Sequence, residues 1–225
     1  MTYVLSVGGS LLAPSSGVDL KFIKSFRNFV QKRLARGDRL IVVAGGGSTA
    51  REYVRAAASN GANVYEQDYV GILATRLNAE LLRASLRPWS SKQIIIDPLG
   101  PINKRSRLLV AGGYKPGRST DYVAVMLARR YGAKTVINLS NIDYVRVEDP
   151  HKNPEAGVIT DIDWIGFRRI VGDNWRPGMN SPFDPVASKE AQKIGLTVAI
   201  INGAKLANLQ RFVDGKSFEG TIIHD

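Results

Sequence analysis

LIVVAGGG at 40–47 runs directly into STAREYVRAAASNG at 48–61, and the join between these two stretches decides the fold. The first is apolar at almost every position, the pattern of a strand buried on both faces, as strands of a parallel sheet are. The second reads as a helix with Ser48 or Thr49 near its cap. Three glycines connect them, so the unit is a strand, a tight turn and a helix.

The same unit recurs on either side. YVLSVGG at 3–9 is a short strand ending in glycines, and GSLLAPSSG interrupts it. Leu20, Ile23, Phe26, Val30 and Leu34 then make one apolar stripe on a helix over 19–36 that Gly37 stops. A second helix is expected over 70–86, with Ile72, Leu81, Leu82 and Leu86 toward the core. KQIIID at 92–97 resumes strand character, and 97–107 reads as an exposed basic loop. LLVAGG at 108–113 and STDYVAVMLARRYG at 119–132 repeat strand, glycines and helix, and KTVINLS at 134–140 is another buried strand.

Residues 141–157 read as a strand edge and an irregular loop, and DIDWIGFRRIVGDNW as a short helix. Asp184 is positioned to cap a helix through 195, with Pro185 in its first turn. LTVAIING is a strand, 204–215 a helix and GTIIHD a terminal strand. Strands separated by helix-length crossovers predict an α/β fold with a mainly parallel central sheet, a single domain whose two halves meet near 133–134.

The 225 residues include 31 Lys and Arg against 20 Asp and Glu, a net charge of +11. That balance suits a polyanionic partner, either nucleic acid or a phosphorylated metabolite. The cations are spread from Lys21 to Lys216, and no zinc finger, basic zipper or ribonucleoprotein motif accompanies them, so no specific nucleic-acid partner is expected. The chain lacks Cys and has only His151 and His224, which excludes disulfide scaffolds, thiol nucleophiles and thiolate or histidine-rich metal centres. Without a basic leader or an 18-residue apolar run, a soluble cytoplasmic protein with no membrane partner is expected.

Glycines end three apolar runs: Gly8 and Gly9, Gly45 to Gly47, and Gly112 and Gly113. In a parallel sheet these turns fall at the carboxyl edge, where backbone amides and helix starts can hold phosphate. A tight turn alone also demands glycine. None matches the GxxxxGK[ST] phosphate loop, and GGGSTA does not meet the dinucleotide-binding spacing. Arg51 lies just past the second turn, where a guanidinium could hold phosphate oxygens in pairs or simply face solvent. Asp68, Arg76 and Asn78 offer polar recognition along one segment, or caps and ion pairs. Ser119, Thr120 and Asp121 begin the helix after YKPG, where capping explains the hydroxyls equally well.

GGSLL, GGGSTAREYV, DYVGILATRLNAELL, GGYKPGRSTDYVAVMLA, INLSNIDYVRVEDP and FDPVASKEA together resemble the ordered motif series of the uridylate kinases, in the short archaeal type of the amino acid kinase superfamily. The resemblance spans almost the whole chain. It implies a three-layer α/β/α sandwich assembled as a homohexamer, transferring the γ-phosphoryl group of ATP to UMP, with Mg²⁺ bound mainly through nucleotide phosphates. By motif, residues 1–133 are mainly the UMP half and 134–225 mainly the ATP half. Gly46, Gly47 and Arg51 look like the UMP phosphate site, Asp68 a nucleoside contact, and Thr120 a residue near the phosphate. Gly8, Gly9 and Ser10 resemble the turn at the transferring phosphates, and Asn141, Asp149 and Pro150 fall in the ATP region. Asp184 matches the aspartate that organises catalysis, and Lys189 lies five residues beyond it.

Four positions depart from the family pattern. Ser6 and Ser48 stand where relatives commonly carry lysine, and Tyr144 and Arg146 replace a glycine and a tyrosine. Lys104, Lys115, Lys189 and Lys205 are candidates to restore the charge. Two other functions fit the same residues: a phosphotransferase of this superfamily with another small acceptor, and a nucleotide-binding relative with little catalysis.

Overall fold

The computed structural model describes residues 1–101, 103, 105–148, 153, 155–174 and 181–225. In chain order its elements are β1 (Thr2–Val7), α1 (Gly9–Leu12), α2 (Leu20–Ala35), β2 (Arg39–Ala44), α3 (Gly47–Ser59), α4 (Val64–Ser85), β3 (Leu108–Ala111), α5 (Thr120–Tyr131) and β4 (Thr135–Ser140). There follow β5 (Val145–Arg146), β6 (Val158–Ile159), β7 (Asp161–Asp163), α6 (Trp164–Val171), α7 (Pro185–Lys193), β8 (Thr197–Asn202), α8 (Leu206–Val213) and β9 (Thr221–His224).

Seven strands form one sheet in the order β3, β2, β1, β4, β8, β9, β7. Every pairing is parallel except β8 with β9. Strand period two sorts the apolar side chains into two cores. Leu5 and Val7, Leu40 and Val42, Leu108 and Val110, Ile137 and Leu139, and Ala199 and Ile201 face one core, which α1, α2, α4 and α8 cover. The alternate residues Val4, Ile41 and Val43, Leu109, Val136, and Val198 and Ile200 face the other, beneath α5, α6 and α7. Helices cover both faces, which is why the strands read as continuous apolar runs, and the result is a three-layer α/β/α sandwich.

Several elements differ from expectation. Residues 92–97 are not a strand: Ile95 makes an isolated bridge to Ala111 and Ser90 another to Leu108, because Pro88, Pro98 and a basic loop bound the segment. The second expected helix starts six residues earlier, at Val64, where Asn63 and Glu66 exchange capping hydrogen bonds. The helix after the second glycine turn is capped by Gly46 and not by Ser48 or Thr49. GSLL, expected as an interruption, is the short helix α1. In DIDWIGFRRIVGDNW the first three residues are an edge strand beside β9, and the helix begins at Trp164 with Asp163 as its cap. Leu20, placed on the apolar stripe, is exposed at the first turn of α2, where Phe22 and Phe29 take the core positions. The Asp184 cap is present, its carboxylate accepting from the Ala187 amide, with Pro185 following.

Candidate active site

β1 and β4 lie side by side, with β2 and β3 on one flank and β8, β9 and β7 on the other. Strand order reverses between them, and the carboxyl ends of the strands at such a reversal are where open α/β sheets bind ligands. The first glycine turn leaves β1 at this point, and the Gly8 amide donates to the Leu139 carbonyl of β4 at 2.8 Å. Gly9 is pressed backbone to backbone on the second turn, where a Cβ would be driven into the main chain of Gly45, Gly46 and Gly47. Gly47 itself holds φ +66, beneath the carbonyls of Gly9 and Ala13. Ser48, buried, completes the clasp by donating its hydroxyl to the carbonyls of Ala13 at 2.9 Å and Pro14 at 2.8 Å. Two turns distant in sequence therefore form one cradle.

Helix α4 carries the third turn to the same place. The Asn78 amide donates to the carbonyls of Gly45 at 2.8 Å and Gly46 at 3.1 Å. The Thr75 hydroxyl accepts from the Gly113 amide at 2.6 Å, and Arg76 donates to the carbonyls of Gly113 at 3.0 Å and Tyr114 at 2.7 Å. Asp68 accepts from the Gly117 amide at 2.6 Å; burial raises its pKa, and that hydrogen bond partly offsets the rise. Arg76 and Asn78 are thus spent on backbone, bracing the glycine turns.

Beneath the turns lie two carboxyl groups. The Ser6 hydroxyl donates to Asp121 Oδ1 at 2.9 Å, the Asn138 amide approaches the same oxygen at 3.4 Å, and the Asp184 amide donates to Asp121 Oδ2 at 3.2 Å. Ser6 and Asn138 are partners in register on β1 and β4, so the sheet itself aims both at the start of α5. Loss of water around the Asp121 carboxyl, reinforced by the nearby charge of Asp184, pushes its pKa up to about 7. Asp184 is also raised by burial, against the Ala187 amide, the Ser119 hydroxyl, the Val186 amide and the charge of Arg118.

The cations divide into engaged and unengaged. Lys205 is held between Asp143 at 2.8 Å and Glu219 at 2.9 Å, and Lys189 lies 3.7 Å from Asp173. Lys115 sits over its neighbour Tyr114, 5.1 Å from the ring centroid. Arg51 is exposed on the second turn of α3 and makes no hydrogen bond or ion pair among the described residues. Ser10, Thr120 and Asn141 likewise keep their side chains unengaged among the described residues, Thr120 opening α5 and Asn141 following β4. Asp149, Pro150 and Lys104 lie outside the described residues. Among the described residues no group of three or more His, Asp or Glu is arranged to hold a metal ion, and no helix is long and apolar enough to cross a membrane.

Residues 1–202 match the model of the amino acid kinase family. The chain belongs to that family. Within the amino acid kinases it is similar to the uridylate kinase of Methanothrix thermoacetophila, 35% identical over 99% of each chain, and to that of Pyrococcus abyssi, 33% identical over 99% of each. The crystal structure of the Archaeoglobus fulgidus uridylate kinase superposes with a TM-score of 0.85 at 33% identity, covering 99% of this chain and 100% of that one. Aspartate kinase from Synechocystis shares the fold, with a TM-score of 0.73 at 17% identity.

This amino acid kinase places Gly8, Gly9, Ser10, Gly46 and Gly47 in or beside the one cradle, with Thr120 and Asp184 at the starts of the two helices beneath it. Lys189 is brought to Asp173 on a half-exposed face of α7. Two residues at the centre were singled out weakly or not at all by the sequence. Asp121 read only as part of a helix start, and Arg118 did not stand out from thirty other cations. The signal for Asp121 was present in the run Ser119, Thr120, Asp121, which offers one more acidic group than a cap needs.

Proposed function

We infer that this enzyme transfers the γ-phosphoryl group of ATP to UMP, yielding ADP and UDP, as its uridylate kinase relatives are named for doing. The contact between the first and second glycine turns carries this reading: a donor-phosphate turn and an acceptor-phosphate turn that share backbone contacts hold two phosphates close enough for direct transfer. A UMP phosphate oxygen forms the new bond to the γ-phosphorus, and the bond to the bridging oxygen breaks with its electron pair going to ADP. No protein nucleophile and no proton acceptor are needed, since the attacking oxygen is already anionic.

The chain's own residues align and neutralise. Amides of Gly9 and Ser10 meet the transferring group, in a turn that the Gly8 amide ties to β4 through Leu139, while Gly46, Gly47, Arg51 and Thr120 hold the UMP phosphate and Asp68 faces the nucleoside. Residues 1–133 serve UMP, and 134–225, with Asn141, Asp149 and Pro150, serve ATP. Asp184 and Asp121 orient the donors around the phosphates, whereas Lys189 is drawn toward Asp173 and contributes at most a general positive field. Two carboxyl groups without a third ligand suit a Mg²⁺ ion that the nucleotide phosphates would mainly hold, with Asp121 and Asp184 the residues that would face it; when bound, it would supply charge neutralisation.

The enzyme works in the cytoplasm, where its nucleotide substrates are, as a step of pyrimidine nucleotide synthesis. It assembles as a homohexamer. Tyr65, Tyr69, Leu73 and Leu77 recur every fourth residue along α4 and are all exposed, and such a stripe on a 22-residue helix supports self-association. The test of the activity is an acceptor screen with purified protein, ATP and Mg²⁺. UDP should form from UMP, with CMP and AMP turned over at least about 10-fold more slowly, since the pocket must read the base edge as well as the phosphate. Equal turnover of all three would defeat the specificity, and rapid transfer to an unrelated acceptor alone would defeat the assignment.

A further inference from the structure

Two carboxyl groups lie beneath a cradle that is to hold anionic phosphates, and the position on β1 that points at one of them, Asp121, is a serine. Ser6 is buried and can offer Asp121 only a neutral hydroxyl. Three of the candidate lysines are poorly placed to answer. Lys205 is clamped by two carboxylates that raise its pKa, Lys189 is drawn toward Asp173, and Lys115 lies over Tyr114.

Arg118 differs from all of these. It directly precedes the Ser119, Thr120, Asp121 run that opens α5, and it is half-buried. One guanidinium nitrogen donates to the Gly117 carbonyl at 2.8 Å, and the group lies 5.0 Å from the centroid of the Tyr122 ring, which fixes its plane. The loop that carries it is pinned from α4 at both ends, by Arg76 at Gly113 and Tyr114 and by Asp68 at Gly117. It has no carboxylate within ion-pair distance among the described residues, and Nε and Nη2 are left without partners there. Burial raises the pKa of Asp184, and the charge of Arg118 is near enough to offset a small part of that rise, after the hydrogen bonds from Ala187, Ser119 and Val186.

We propose that Arg118 is the phosphate-binding cation of this site, its free guanidinium edge receiving the oxyanion of the transferring group and replacing from the third glycine turn the positive charge that Ser6 does not supply. The proposal rests on the phosphotransfer reading above, with the guanidinium fork matching phosphate oxygens in a way a lone ammonium does not.

Inorganic tripolyphosphate, which binds through phosphate alone, separates this proposal from the identity of the acceptor. Arg118→Met keeps the length of the side chain and removes its charge. By calorimetry its affinity for tripolyphosphate with Mg²⁺ should fall at least about 10-fold relative to the native protein, and UDP formation should fall further. Arg118→Lys should recover part of the affinity. Ser6→Lys placed in the Arg118→Met protein should recover part as well, because it returns a cation to the same carboxyls from β1, which a packing role for Arg118 would not allow. Unchanged tripolyphosphate affinity in Arg118→Met would overturn the proposal whether or not UMP is the acceptor. So would a loss accompanied by a lowered unfolding midpoint that neither lysine reverses. Absence of UDP formation by the native protein, with the tripolyphosphate pattern intact, would instead overturn only the UMP assignment.

Discussion

Arg51 stands out among the single side chains because nothing among the described residues engages it, although it follows the second glycine turn by four residues. Removing it therefore costs the fold little and the ligand a charged hydrogen-bonding fork. Arg51→Ala should raise the UMP concentration needed for half-maximal rate at least about 10-fold with an unchanged unfolding midpoint, and native-like UMP kinetics would return it to the solvated surface. Asp121 gives a pH-dependent prediction. Its pKa rises on folding from 3.8 to about 7, so the folded state binds the extra proton between those values. The stabilisation is full below about pH 4 and disappears as pH climbs through 7. Between pH 5 and pH 8, urea unfolding should show the native protein losing at least about 1 kcal/mol relative to Asp121→Asn, which has no proton to release there. A difference between the two proteins that stays constant with pH would remove Asp121 as the titrating group.

Among the elements, the glycine turns are where backbone geometry and function coincide. Gly9 has no room for a methyl group, since the main chain of Gly45 to Gly47 fills the space. At Gly157 a methyl group would meet nothing within 4 Å and φ is not positive, so this position serves as the control. Gly9→Ala should destabilise the protein by about 1–3 kcal/mol and lower turnover at least about 10-fold by prising the two turns apart, whereas Gly157→Ala should do neither. Equal behaviour of the two variants in denaturant and in the kinase assay would show that the turns do not need their contact. The turns were legible in the sequence because a strand ending in glycines is a local pattern. Their contact was not, since no local period relates Gly9 to Gly47.

At the scale of the molecule, the exposed stripe on α4 sets the expectation for assembly. Leu73→Glu with Leu77→Glu places two like charges on adjacent turns of one apolar face and leaves the buried Ala74, Thr75, Asn78 and Ala79 of the same helix untouched. In sedimentation velocity the native protein should run as an oligomer and the double variant as a smaller species, with the helix content of both alike. Identical sedimentation would place the subunit contacts elsewhere.

Alternation in the strands, the 3.6-residue stripes in the helices, and glycines, Asp184 and Pro185 as punctuation are properties of neighbouring residues, and from them the α/β class and most elements follow directly. The short pieces escaped, because the two to four residues of β5, β6, β7 and α1 hold too little pattern to declare a period. Strand order belongs to the tertiary structure alone. It sets β1 against β4, carries Ser6 to Asp121 across 115 positions of chain, and brings Asp184 to the same carboxyl across 63. The sequence names the groups that can bind phosphate, but which of them face one another, and which cations are already neutralised, depends on packing between segments whose separation leaves no periodic trace.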